Sequence, residues 1–268
     1  MIDSKEFIRG EYFPNVCDMR IGTEPNLPYE QQLDLPDKEY ISMYAKSENV
    51  CAAHDVIRNN PDRTFTLVTH NSDMPIQPCQ MPDNLHRWFA QNRETEQPRI
   101  YSIPLGLENE YWFPYKQQVM LQQYFERPES LRAVRSFAQF NCGTHGERNL
   151  ALDSLDPKIC DVYMGANGNQ EHHALFCKNL NRYSFCICPR GNGTDTHRLW
   201  EALYMGCIPI CKDYIAHRFE QPLPILFVKD WSDITEDLLE KTLESIDMSL
   251  FDSELLKMSY WSKKINEV

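Results

Sequence analysis

Short apolar, β-branched runs recur along this chain, separated by helical or Pro/Asn-rich stretches. They are YISMYA (40–45), FTLVTH (65–70), RIYSIPL (99–105), SFAQFN (136–141), ICDVYMG (159–165), SFCICP (184–189), CIPIC (207–211) and ILFVKD (225–230). Strands that alternate with helices need crossover connections, so the pattern predicts an α/β protein built on parallel sheets with helices on their faces. The runs fall into two groups around the polar segment 115–135, whose helical character breaks at Pro128. Two Rossmann-like lobes follow, an N-terminal one over 1–130 and a C-terminal one over 131–250. The tail 251–268 reads as a helix with Leu255, Leu256, Tyr260 and Ile265 on one apolar face, returning to pack on the first lobe.

Composition narrows the partners. At 268 residues and 42% hydrophobic content, the chain can build a sizeable core. Acidic residues outnumber basic ones by 39 to 27, and a net charge of -12 argues against a surface that coats nucleic acid. Any anion must therefore meet a local basic cluster. No apolar run approaches the roughly 20 residues of a membrane span, and MIDSKEFIRGEYF lacks a signal-peptide core. The expectation is a cytoplasmic chain, or one separated from an anchor. The ten cysteines include no C-x-x-C pair and read as reduced thiols, with Cys186 and Cys188 as small buried hydrophobes on one strand.

The densest chemistry lies in YSFCICPRGNGTDTHRLWEALYMGCIPI (183–210). YSFCIC is a buried strand and Pro189 to Thr194 a loop. Thr196 caps a helix that turns Leu199, Trp200, Ala202 and Leu203 inward, and Gly206 ends it before the next strand. In such a unit the helix N-terminus offers unpaired N–H groups to an anion. Gly191 and Gly193 allow close backbone approach, and Arg190 and Arg198 are suited to forked bonds with phosphate oxygens. Neither a Walker loop nor a dinucleotide glycine pattern is present. Glu201 is placed to accept the hydroxyl protons of a ribose. Taken singly, these residues are as well explained by a surface ion-pair set at a helix start.

FCICPRGNGTDTHRLWEALYMGCIPI resembles the donor-binding segment of exostosin-like glycosyltransferases: a strand, P-R-G, a short loop, R followed by E-A-L, then G-C-I-P. FNCGTHGERN (140–149) is similar to the loop opening their donor lobe, and LVTHNSDMPI (67–76) with IPLGLEN (103–109) to their acceptor-side lobe. Within that family the short chain also resembles the small chlorovirus-encoded glycosyltransferases, a likeness that implies the host cytoplasm. The resemblance implies a GT-B fold, two facing lobes with the donor in the second, and a nucleoside-diphosphate sugar used without an obligatory metal. The nucleotide it implies is UDP, with UDP-xylose as the donor in the narrower viral form. The acceptor is a glycan or glycoprotein, and no cofactor is required.

On that reading Arg148, Arg190 and Arg198, with backbone N–H groups near Thr144, Asn192 and Thr196, hold the diphosphate. Glu201 holds the ribose, and Asp195 orients an arginine or touches sugar hydroxyls. Inverting transfer needs a base on the opposite face, and THNSD after FTLV offers Asp73, with His70 as its rival. Both also fit ordinary turn chemistry. Trp112, in the loop after IPLGLEN, is the best aromatic platform for an acceptor sugar, ahead of Trp88 and Trp231. The adjacent histidines of EHHAL do not face one ligand, so no metal site is expected there. Two other readings stay open, a binding protein on the same fold and a nucleotide-dependent phosphotransferase.

Overall fold

The computed structural model describes residues 2–22, 34–125, 132–165 and 169–267. The expected break at Pro128 and the lobe boundary at 130/131 lie outside the described residues. Two five-stranded sheets carry the fold, and every strand pair in them is parallel. The first runs in sequence order: β1 (Met19–Ile21), β2 (Tyr40–Lys46), β3 (Thr64–His70), β4 (Leu85–Ala90) and β5 (Ile100–Ser102). The second is ordered β10-β9-β8-β6-β7, from β6 (Ala133–Gln139), β7 (Cys160–Tyr163), β8 (Tyr183–Ile187), β9 (Ile208–Lys212) and β10 (Leu226–Val228). The helices are α1 (Phe13–Val16), α2 (Val50–Arg58), α3 (Pro114–Phe125), α4 (Gly146–Ser154), α5 (Gln170–Arg182), α6 (His197–Tyr204), α7 (Glu236–Ser245) and α8 (Met258–Asn266).

The central strands β2, β3, β8 and β9 are buried on both faces, as parallel strands covered by crossover helices are, while the edge strands β7 and β10 expose Val162 and Phe227. Residues of β3 show the division: Phe65 and Leu67 join an outer core with Ile57 of α2, whereas Val68 joins a central core shared by the two lobes. That central core gathers Phe7 and Phe13 from the N-terminal segment, Tyr124 of α3, Trp200 of α6 and Trp261 of α8. A third core lies on the far face of the second sheet, around Ala138, Phe185, Ile208 and Leu239. The C-terminal helix packs against α1, β2 and β3 of the first lobe, and Asn266 Nδ2 donates to Val16 O at 2.9 Å. In contrast, α3 lies along α5 of the second lobe, with Asn181 Nδ2 donating to Gln123 O.

Two strands, β1 and β4, fall outside the expected runs. β1 has only three residues, one of them Arg20, and β4 carries His86 and Arg87 in mid-strand. The expected run 99–105 yields strand only at 100–102, because Arg99 adopts φ 71° and Pro104 follows. All ten cysteines are free thiols, and Cys186 and Cys188 are fully enclosed.

Candidate active site

Parallel strands all end on one side, so the loops after them in the two lobes face each other across a crevice. A cleft of about 730 Å³ opens there. The first lobe lines it with Lys46 at the end of β2, Asn71 to Asp73 after β3, and the 105–113 loop after β5. The second lobe adds Thr144 and Arg148, the 191–198 loop and Glu201.

Arg148 sits on α4 with 7% of its surface exposed, and its guanidinium is fixed from below. Nε donates to Arg190 O at 3.0 Å, and Nη1 donates to Asn141 O at 2.8 Å and to Thr144 Oγ1 at 2.9 Å. Nη2 has no acceptor among the described residues and points beneath Gly191. Arg198, on the first turn of α6, donates through Nε to Gln139 O at 3.1 Å and lies over the rings of Phe140 and Phe176. No carboxylate forms an ion pair with either arginine among the described residues. Burial, and next the neighbouring Arg198 charge, lower the Arg148 pKa to about 10. Two like charges facing a cleft without a counter-ion are costly, and an anion between them relieves the cost.

The helix itself adds donors. Thr196 occupies the N-cap position of α6 but its side chain makes no capping bond; Leu199 N donates to Thr196 O at 3.1 Å, and Thr196, His197 and Arg198 line the cleft at this uncapped helix start. Glu201, 7% exposed and one turn further, has its carboxylate 4.0 Å from His173 Nδ1 as its nearest ion-pair partner. Its oxygens are therefore available to hydroxyl donors. At the other end of α6, Gly206 has φ 69°, and the pair of bonds Gly206 N to Leu203 O and Cys207 N to Ala202 O closes the helix in a Schellman turn.

Gly191 and Gly193 both line the cleft, and each also leaves room on its protein side. A Cβ on Gly191 would lie 2.9 Å from Arg148 Nη2, and one on Gly193 would lie 2.7 Å from Asn92 Nδ2. The glycines make room for an arginine and an asparagine below the loop, and neither has positive φ.

The remaining expected residues separate. Asp73 is exposed on the cleft wall, and Asn192 Nδ2 donates to its Oδ2 across the cleft at 3.3 Å. His70 is wholly enclosed, stacked on Phe13, with Nε2 2.9 Å from Pro104 O, and it does not line the cleft. Burial drives its pKa down to about 4. The Arg190 guanidinium turns away from the cleft, with Nη2 donating to Asn192 O and Nη1 3.8 Å from Glu94. Asp195 borders the cleft, yet its carboxylate is saturated from within: Leu105 N, Thr196 N and Trp200 Nε1 all donate to it, at 2.8–2.9 Å. It clamps the lobes together. Trp112 lines the cleft with 54% of its surface exposed, beside Tyr111.

Glu108, His197 and Lys116, which carried no assigned role in the sequence reading, form a charged cluster in the cleft. Glu108 lies 3.4 Å from His197 Nε2 and 3.3 Å from Lys116 Nζ. Burial works to raise its pKa, but the two cationic partners outweigh it and hold the value at about 2. His197 is raised in turn, the Glu108 charge overcoming burial, and its Nδ1 meets Gly106 O at 2.8 Å. The signal was present only as IPLGLEN and THRL; nothing in the sequence shows that the two segments meet.

No family model matches the chain. Two probable glucuronosyltransferases of Oryza sativa subsp. japonica are similar to it, at 33% and 32% identity over 81 residues. Those residues make up 30% of this chain and 18% of each relative, so the likeness reaches less than a fifth of the relatives' length.

Proposed function

We propose that this protein is a glycosyltransferase that moves a sugar from a nucleoside-diphosphate donor to a hydroxyl acceptor, on a two-lobed GT-B plan. The observation that carries this reading is the pair of unpaired arginines, Arg148 and Arg198, converging with the uncapped start of α6 on a cleft that also holds the open carboxylate of Glu201. An anion fits the first group and a ribose the second. The partial likeness to probable glucuronosyltransferases supports the same reaction class.

The diphosphate would take its charge-assisted bonds from Arg148 Nη2, the outer nitrogens of Arg198 and the α6 N–H groups. Each such bond contributes about 1.5–3 kcal/mol, and those that strengthen as the leaving group gains charge speed the reaction. Asp73, on the opposite wall, takes the acceptor proton. The freed oxygen then attacks the anomeric carbon while the bond to the diphosphate breaks, its electron pair staying on the departing phosphate oxygen. This course inverts the anomeric centre. Trp112 offers the acceptor sugar a stacking face. UDP is the favoured nucleotide, with xylose among the sugars to be tried, and the arginines supply the charge without a metal.

The test is turnover against UDP-, GDP- and ADP-sugars with oligosaccharide acceptors in EDTA, reading released nucleoside diphosphate and the new glycoside. One nucleotide should support transfer under chelation. Phosphoryl transfer from ATP with Mg²⁺, and none from any nucleotide sugar, would assign the cleft to a phosphotransferase instead.

A further inference from the structure

Glu108, His197 and Lys116 take no part in the transfer described above, yet all three line the cleft. The backbone fixes where Glu108 stands. Gly106, two residues before it, has φ 72°, and a Cβ there would lie 2.3 Å from Ile8 O. Leu107 N donates to that same oxygen at 2.8 Å, and Glu11 N donates to Asn109 Oδ1 at 2.9 Å. The loop is thus tied to the N-terminal segment on both sides of Glu108, and a fixed backbone carries the carboxylate to the cleft.

His197 meets it from the other lobe. It is the first residue of α6, and both its ring nitrogens face oxygens of the first lobe: Nδ1 is 2.8 Å from Gly106 O, and Nε2 is 3.4 Å from Glu108 Oε1. A carbonyl can only accept, and so can an ionised carboxylate. A neutral imidazole has one N–H for two such partners, whereas the imidazolium serves both. Burial disfavours that charge, but Glu108 outweighs it and raises the His197 pKa above the usual 6.5.

The other charged groups near the ring come from four elements. Lys116 on α3 lies 3.3 Å from Glu108 Oε2. Asp195, before α6, is engaged by Leu105 N, Thr196 N and Trp200 Nε1. Arg198 and Glu201 follow on α6, the first turned to Gln139 O and the second nearest to His173 of α5. His70 at the end of β3 is kept neutral by burial, its pKa about 4.

The start of α6 is where the diphosphate is assigned, and a bare carboxylate beside it would repel that anion. With His197 protonated, the cluster sets two positive charges against one negative charge. Once the proton leaves, the two signs merely balance, and with Nδ1–H still bonded to Gly106 O a nitrogen lone pair faces Glu108.

We propose that protonated His197 is a positioning residue for the donor: it holds Glu108 neutralised against the first lobe so that the diphosphate can approach the α6 start, and donor binding therefore weakens as the ring loses its proton. This rests on the cleft being the nucleoside-diphosphate site assigned above. His197 spends both N–H groups on the first lobe and acts through Glu108 and its own charge, without a bond to the donor.

The test joins two measurements on the whole chain. Long-range proton–nitrogen NMR of the imidazoles, with His197→Gln for assignment, should show both His197 nitrogens protonated at pH 6.5 and a midpoint above that value, which Glu108→Gln moves down toward 6.5 or below. Isothermal titration with UDP-, GDP- and ADP-glucose, whose diesterified phosphates exchange no proton near neutrality, is then run from about pH 6 to pH 9 in buffers of different ionisation heat. One donor should bind with proton uptake near the NMR midpoint, and its affinity should fall roughly fivefold or more across that midpoint, as one partly screened charge would give. His197→Gln should bind weakly at every pH without proton uptake. Glu108→Gln, which leaves no carboxylate to neutralise, should bind more tightly than wild type at the alkaline end; a merely structural role would weaken it at every pH. Donor affinity in wild type that does not change with pH, or a His197 midpoint below 6.5, would overturn the proposal while leaving the donor site in place. No binding of any of the three donors, with His197 titrating above 6.5, would remove the donor reading and the proposal together.

Discussion

At the residue scale, an exposed carboxylate, Asp73, and an enclosed imidazole, His70, stand at the end of the same strand, β3. Arg198, Glu201 and Thr196 lie within one helical turn or so of each other, so helix geometry alone placed them together. Asp73 and His70 looked equivalent because both follow the same strand, and only tertiary packing separates an exposed carboxylate from an enclosed imidazole. Asp73→Asn should lower turnover by about 10²–10⁴-fold, the usual contribution of a general base, with nucleoside-diphosphate affinity unchanged. Retained turnover in that variant, measured as product per enzyme at saturating donor, would remove Asp73 from the base role. His70 bears instead on stability. Burial holds His70 and His54 at about 4 in the folded chain, below the unfolded value of 6.5. The unfolded chain therefore binds more protons between those values, and stability should fall as pH drops from about 6.5 toward 4. Thermal melts across that range check the sign, and His70→Gln should make the fall shallower.

At the element scale, strands with an unbroken apolar run were legible, and those interrupted by charge were not. β4 was hidden because its ladder contains an extra residue, so the alternation of faces breaks at His86 and Arg87. In the strand–loop–helix unit from β8 to β9 the strand, the apolar helix face and the terminating glycine were legible, whereas Thr196 holds the N-cap position without the expected side-chain bond. Its glycines served a purpose that no local rule reveals. Gly191→Ala should place a methyl against Arg148 Nη2 and push that nitrogen from the cleft. The expected result is several-fold weaker nucleoside-diphosphate binding with little change in melting temperature. Equal affinity in titration would show that Arg148 Nη2 has no part in binding.

At the scale of the whole molecule, alternating strands and helices foretold two parallel sheets, but nothing foretold how firmly they are joined. Asp195 accepts bonds from Leu105 of the first lobe and Trp200 of the second, while Asn92 Oδ1 accepts from its own N–H. Trp200 and Trp261 then share one core across both lobes. A carboxylate enclosed among N–H donors is costly to disturb. Asp195→Asn, which turns an amide NH₂ toward those donors, should destabilise the fold by about 3 kcal/mol or more, read by denaturant unfolding. A change within about 0.5 kcal/mol would mean that the clamp is not formed in solution. The clamp also explains why Asp195, which the sequence grouped with the donor loop, has no oxygen left for a sugar.

The central claim is that the cleft binds a nucleoside diphosphate through Arg148, Arg198 and Glu201. The most direct measurement is isothermal titration of UDP, GDP and ADP, in EDTA, into wild type, Arg198→Ala, Glu201→Gln and Arg190→Ala. One nucleotide should bind wild type. Arg198→Ala and Glu201→Gln should each weaken it at least tenfold, the loss of one charge-assisted bond, while Arg190→Ala, altered outside the cleft lining, should bind nearly as wild type does. Unchanged affinity in both Arg198→Ala and Glu201→Gln, or no binding of any of the three nucleotides to wild type, would contradict the account.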